Sequence, residues 1–158
     1  FAHQCVYTVY PDGSIHLRNR LEPLGELPML PRIGLKMTLA GGLEQLAWYG
    51  CGPHESYPDR KTGAAVGRYE STVTAQYVPY PFPQECGNKE DVRWAALTSD
   101  AGTGVLLVMD APLAFSTLRF RRSTASEIAP TASTPIHTGG SNSICRASKL
   151  TVPAISTR

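Results

Sequence analysis

The chain has 158 residues, 42% of them hydrophobic and 18% charged, enough for one domain with a core and too few for a multidomain arrangement. Its 15 Lys and Arg against 13 Asp and Glu leave a formal charge of +2, without the one-sided balance that nucleic-acid phosphates or an anionic membrane select. No window holds the ~20 consecutive apolar residues of a membrane helix, so a soluble protein is expected, with neither nucleic acid nor membrane as partner.

All 13 aromatic residues lie at or before Phe120, and residues 121–158 contain none. Aromatic rings carry much of a core's buried area, so the folded part is expected over residues 1–120. The 4 cysteines, Cys5, Cys51, Cys86 and Cys145, form no CxxC pair and give neither a zinc nor a redox signature. Reduced, mostly buried thiols in a cytoplasmic protein are the expectation. The chain opens on Phe1, in strand-like sequence, which reads as a fragment or subunit of something longer.

From the N-terminus, Val6, Thr8 and Tyr10 alternate with Tyr7 and Val9, Pro11-Asp12-Gly13-Ser14 supplies turn chemistry, and Ile15 and Leu17 alternate with His16 and Arg18. This predicts a β-hairpin. Over residues 32–40, Ile33, Leu35, Met37 and Leu39 face one way and Arg32, Gly34, Lys36 and Thr38 the other, the pattern of a strand with one packed face. Residues 43–49 read as a strand or a short helix ending at Gly50. Gly52-Pro53, Tyr57-Pro58-Asp59-Arg60 and the series Pro79, Pro81, Pro83 then break regular structure through residue 84, with a strand only at 69–74. An irregular stretch of that length is usually a functional loop or an interface. Strands are expected again at 92–98, at 105–109 after the turn Asp100-Ala101-Gly102-Thr103-Gly104, and at 115–120. The fold class is therefore all-β, an antiparallel β-sandwich without a substantial helix.

Beyond Arg122 the chain turns to Ser, Thr, Ala and Pro, as in Thr131-Ala132-Ser133-Thr134-Pro135 and Gly139-Gly140-Ser141-Asn142-Ser143. Neither strand nor helix period survives, and the apolar content falls short of offsetting chain entropy. Residues 121–158 are expected to form a divergent or disordered tail.

Three segments occur in a telling order: Leu30-Pro31-Arg32-Ile33-Gly34-Leu35, then Trp48-Tyr49-Gly50-Cys51-Gly52-Pro53-His54-Glu55-Ser56-Tyr57-Pro58-Asp59-Arg60, then Tyr77-Val78-Pro79-Tyr80-Pro81-Phe82-Pro83-Gln84-Glu85-Cys86-Gly87-Asn88-Lys89-Glu90. Together they resemble the C-terminal small-chain domain of large bacterial β-galactosidases, over about residues 1–120. The resemblance implies a galactose-mutarotase-like supersandwich, expected here in truncated form because the family's acid-rich, Gly-rich segment with a sugar-lining Trp has no counterpart after Phe120. A shift of reading frame near residues 119–123 would produce that interruption, and an aromatic, acid-rich continuation in another frame of the coding DNA is its test.

The resemblance also implies a division of labour. The family's catalytic carboxylates belong to a separate barrel, so this chain is expected to contain no catalytic residue and to complete and buttress the cleft of a large catalytic β-galactosidase chain or domain. It would meet β-galactoside substrate only through that complex, in an oligomeric assembly, with no cofactor and no metal of its own. A retaining glycosidase needs two carboxyl groups ~5 Å apart, and no spacing among the acidic residues identifies such a pair. The alternatives are a free-standing carbohydrate-binding or mutarotase-like module and an inactive truncated remnant.

Within one loop, His54, Glu55, Tyr57, Asp59 and Arg60 combine acid, base and aromatic groups and are the candidates for a cleft edge or substrate contact. The competing reading is anchoring: Asp59 pairing with Arg60, and Glu55 accepting loop N–H groups. Tyr77, Tyr80 and Phe82, interleaved with prolines in a stiff extended ribbon, and Glu85 after it are the candidate interface. Trp48 and Trp94 sit in strand-like runs and read as core. His3, His16 and His137 have no second ligand at metal spacing.

Overall fold

The computed structural model describes residues 1–25, 33–82, 84–119, 144–147, 150–152 and 154–155. Leu30, Pro31, Arg32, Pro83, Phe120 and the Ser/Thr/Pro-rich stretch up to residue 143 lie outside the described residues. The described strands are β1 (Ala2–Val9), β2 (Ile15–Glu22), β3 (Leu35–Thr38), β4 (Gln45–Gly52), β5 (Ala65–Thr72), β6 (Lys89–Thr98), β7 (Gly104–Leu118), β8 (Ile144–Ala147), β9 (Leu150–Val152) and β10 (Ala154–Ile155). A single 3-10 turn at Thr74–Gln76 is the only helical element among the described residues.

Every strand pairing is antiparallel. The main sheet runs β1-β2-β9-β7-β6-β4-β5, with β10 also on β7, while β3 pairs with β8 and β8 with the far end of β7. The N-terminal hairpin forms as its sequence dictates: Asp12 Oδ1 accepts from the Ser14 N–H at 2.9 Å, and Gly13 takes a φ of 84° at the reversal. The strand at 43–49 resolves against the helical alternative, because its period-2 pattern buries Leu46 and Trp48 on one side while Gln45 and Tyr49 stay exposed.

Several boundaries differ from the sequence expectation: of the strand expected over 32–40 only Leu35–Thr38 forms among the described residues, and β6 begins at Lys89 rather than at residue 92. β4 continues through Gly50 to Gly52, and β5 starts at Ala65, four positions before the pattern of alternation becomes readable. The runs at 105–109 and 115–118 belong to one 15-residue strand, β7, which passes Asp110, Ala111 and Pro112 without breaking. Pro112 is tolerated there because the β6–β7 register shifts between Lys89 and Trp94, which disrupts the ladder locally. Beyond the undescribed stretch, β8, β9 and β10 add short strands that join β3, β7 and β2, although no period in the sequence announces them.

One face of the main sheet carries the core: Leu46, Trp48, Val73, Val92, Ala95, Leu97, Leu107, Met109 and Phe115 form a single buried cluster, with Leu35 and Met37 of β3 packed against it. Cross-strand register explains the grouping, since Trp48 opposes Ala95 and Ala95 opposes Leu107, and directly opposed residues share a face. Trp48 is core, as its sequence setting implies, 1% exposed, with its indole N–H donating to the Cys51 carbonyl at 2.9 Å. Trp94 is half-buried on the opposite face, paired in register with Tyr49 and Val108.

Candidate functional site

Between β4 and β5 the chain leaves the sheet at a cis Gly52-Pro53 bond and forms a loop that folds back on the segment preceding β6. Tyr57 and Arg60 bridge each other across Pro58 and Asp59, N–H to carbonyl at 3.1 and 2.9 Å. That tight turn presents the Arg60 guanidinium over the Tyr57 ring, 5.2 Å from its centroid.

Glu55 is the centre of the arrangement. Its carboxylate, 10% exposed as a side chain, accepts from the Arg60 guanidinium at 2.5 Å, the Gly87 N–H at 2.8 Å, the Tyr57 hydroxyl at 3.2 Å and the Tyr80 hydroxyl. Burial pushes the Glu55 carboxyl up, but the donors from Tyr80, Gly87 and Arg60 outweigh it and hold it below the usual carboxylate range. Burial beside this anion drives the Tyr57 phenol well above its ordinary value. The Arg60 pKa is raised by its bonds to Tyr80 and Glu55. A carboxylate with four donors is an ionised acceptor: it has no proton to give at neutral pH, and a role as base or nucleophile would break the loop's own bonds.

A second layer of bonds fixes the loop from beneath. Ser56 N–H donates to the Asn88 carbonyl at 2.8 Å, the Asn88 amide donates to the Ser56 carbonyl at 2.8 Å and to Glu90 at 2.7 Å, and the Glu90 N–H donates to Ser56 Oγ at 2.9 Å. Gly87 permits this approach: its φ is 71°, and a Cβ there would meet the Gln76 carbonyl oxygen at 2.4 Å.

The sequence candidates separate accordingly. The structure brings Glu55, Tyr57, Arg60 and Tyr80 into one network, with Arg60 paired to Glu55 rather than to its neighbour Asp59. His54 and Asp59 are exposed and, with Glu55, Arg60, Lys61, Thr62 and Gly63, line an open cleft of about 500 Å³. The proline ribbon splits: Tyr80 turns inward to Glu55 instead of outward to a partner, Glu85 is half-buried, and Tyr77 and Phe82 are 48% and 82% exposed.

Several participants escape a motif reading. Asp91, at a φ of 53° in the irregular stretch of the β6–β7 register, accepts from Lys61 Nζ at 3.0 Å and from the Cys51 thiol at 3.6 Å. Burial, followed by the Asp91 charge, raises the Cys51 pKa, which keeps that thiol protonated and unreactive. Lys89 is 3% exposed, its ammonium 5.3 Å from the centre of the Trp48 ring. Burial lowers its pKa to about 8 despite the nearby Glu55 charge. Only its place in the Gly87-Asn88-Lys89-Glu90 run pointed to it. Among the described residues no three His, Cys, Asp or Glu side chains gather as a metal site would require.

Such a molecule is an antiparallel β-sandwich module whose polar loop is organised for holding shape, with an open charged cleft beside it. The family described as beta galactosidase small chain matches residues 2–138, past Phe120, and the chain belongs to that family. It is 48% identical over 101 residues to a β-galactosidase of Priestia megaterium, covering 64% of this chain and 10% of the relative. A β-galactosidase of Vibrio cholerae is 41% identical over 87 residues, 55% of this chain and 8% of the relative. One from Halalkalibacterium halodurans is 40% identical over 102 residues, 63% of this chain and 10% of the relative. The chain thus spans about a tenth of the length of the curated relatives it matches.

Proposed function

We propose that this chain supports hydrolysis of terminal β-D-galactosides by completing and buttressing the cleft of a separate catalytic β-galactosidase chain or domain, without supplying the reacting groups. The observation that carries this reading is the Glu55 node. Its four donors tie the 53–64 loop to the 77–90 ribbon, leaving Phe82 as the most exposed large apolar side chain among the described residues. A ring held out on a fixed ribbon costs little entropy to bury and suits the centre of an interface.

On this reading His54, Asp59 and Arg60 form the cleft edge, Tyr77 and Phe82 meet the catalytic partner, and Glu55, Tyr57 and Tyr80 position both. No cofactor or metal is assigned to the chain itself. No helix among the described residues is long and apolar enough to cross a membrane, and the buried thiols of Cys51 and Cys86 support assignment to a reducing cytoplasm.

The test is complementation. Purified chain is mixed with a large β-galactosidase polypeptide lacking this segment, and chromogenic galactoside turnover is followed. Activity is expected only in the mixture, and Phe82→Ala is expected to raise the chain concentration needed for half-maximal activity at least tenfold, as loss of a central aromatic anchor does. No activity at any ratio would overturn the proposal.

A further inference from the structure

Among the described residues, β1 is an open edge of the main sheet and pairs with β2 alone. The phase of its backbone is set by the Tyr10 N–H, which donates to the Ser14 carbonyl at 2.9 Å. Along an antiparallel pair, bonded and non-bonded positions alternate. Thr8, Val6, Gln4 and Ala2 therefore exchange bonds with β2, while the N–H and C=O groups of Val9, Tyr7, Cys5 and His3 point away from it, to the side on which no described strand lies.

The same odd-numbered residues carry the apolar side. His16 of β2 and Val108 of β7 both oppose Thr151 of β9 in register, which puts the even-numbered residues of β2 on the outer face with Val108. Leu17, and with it the odd-numbered positions of β1, lies on the core side. There Tyr7 is 65% and Val9 69% exposed, although Leu17 beside them is buried. The core-side surface thus continues past the buried cluster and ends uncovered on the hairpin.

Natural edges are blunted by charge, proline or bulges. β1, of sequence AHQCVYTV, has no Lys, Arg, Asp, Glu, Pro or Gly, and its pairing with β2 is regular through all its residues. The opposite edge, β5, is protected as expected: Arg68 and Glu70 are exposed and form an ion pair at 2.6 Å. An incoming β1 meets no like charge on another β1, whereas β5 would oppose it with an ion pair to desolvate.

We propose that β1 is a strand-addition site whose occupant is a second copy of this chain, the two β1 strands pairing antiparallel about a twofold axis. The odd-numbered backbone groups bond across the junction, and Tyr7 and Val9 of each copy cover the other's core-side extension. An isologous contact of this kind closes at two subunits and consumes the free edge of both.

Sedimentation equilibrium on the full chain is expected to give twice the chain mass, and Tyr7→Pro to return it to monomer with an unchanged far-UV spectrum. The substitution removes an N–H that faces the open edge and spares the bonds to β2. Amide exchange on the unmodified chain gives the same answer independently of that variant's folding. Protection of the His3, Cys5, Tyr7 and Val9 amides is expected to rise with protein concentration, while the Val6 and Thr8 amides stay protected throughout. A monomer at all concentrations, a dimer that survives Tyr7→Pro, or open-ended polymer would each overturn the proposal. So would edge amides protected only when a large β-galactosidase polypeptide is added. None of these readouts depends on galactoside turnover, so this inference and the buttressing function fail separately.

Discussion

Glu55 and Lys89 show how burial and partners decide what a charge does. Glu55 is almost buried yet ionised, because four donors replace the water it lost. Glu55→Gln halves the acceptor capacity and removes the charge that holds Arg60; a loss of about 3 kcal/mol is expected, read as a lowered denaturant midpoint. Tyr80→Phe, which deletes one donor, is expected to cost about 1 kcal/mol. Lys89 is the opposite case, with a ring face but, among the described residues, no carboxylate in bonding contact. Its folded pKa of about 8 lies below the unfolded value near 10.4. Between those values the unfolded state holds more protons, so stability rises with pH across that window. Lys89→Met is expected to stabilise the chain at pH 7 by about 1–3 kcal/mol and to flatten this rise, measured by urea unfolding at neutral and alkaline pH.

Element boundaries follow from backbone approach as much as from side-chain pattern. Gly104 opens β7 opposite Thr98, and a Cβ there would stand 2.0 Å from the Leu97 carbonyl oxygen. Side-chain freedom is not what the position requires; closeness is. Gly104→Ala is expected to force β7 away from β6 at a cost of about 1–3 kcal/mol, with amide exchange faster at Thr98 and Gly104 than in β4. The alternation that located β2, β3 and β6 is a half-buried signal, and it was legible because one face of each strand turns toward the core. It failed at 65–68, where Ala65, Val66 and Arg68 are all exposed and no contrast exists to read. It also split β7 in two, because residues 110–112 are exposed while the strand itself continues.

At the scale of the molecule, three carboxylates join segments distant in sequence. Glu44 receives the Thr74 N–H at 2.9 Å and Arg119 Nε at 2.9 Å, Glu55 ties the two loops, and Asp91 holds Lys61 and Cys51. Burial opposes ionisation of Glu44, but the Thr74 and Arg119 bonds prevail; at Asp91 the Lys61 bond is the leading cause; all three pKa values lie below their ordinary range. Their stabilisation is complete above the unfolded carboxylate values near pH 4 and is lost as pH falls through the folded ones. Thermal midpoints are expected to drop steeply below about pH 4, and Glu44→Gln combined with Glu55→Gln to shallow that drop.

The sequence by itself determined the all-β class, the N-terminal hairpin, the packed side of β3 that carries Leu35 and Met37 and the resemblance to the β-galactosidase small chain. These rest on period-2 burial and on short segments whose residue order is unusual, both of which are local. Tertiary structure alone decided that Arg60 serves Glu55 and not Asp59, that Tyr80 turns inward while Phe82 turns out, and that Gly87, Asn88 and Asp91 belong to the site. Arg60 reaches Glu55 five positions away in a geometry shared with Tyr80, 20 positions on, and the bonds of Tyr80, Gly87, Asn88 and Asp91 span 25 to 40 positions. A hydrogen bond is set by the angle and distance at which two segments meet, and only the packed sheet fixes where the 53–64 loop meets the 77–91 ribbon.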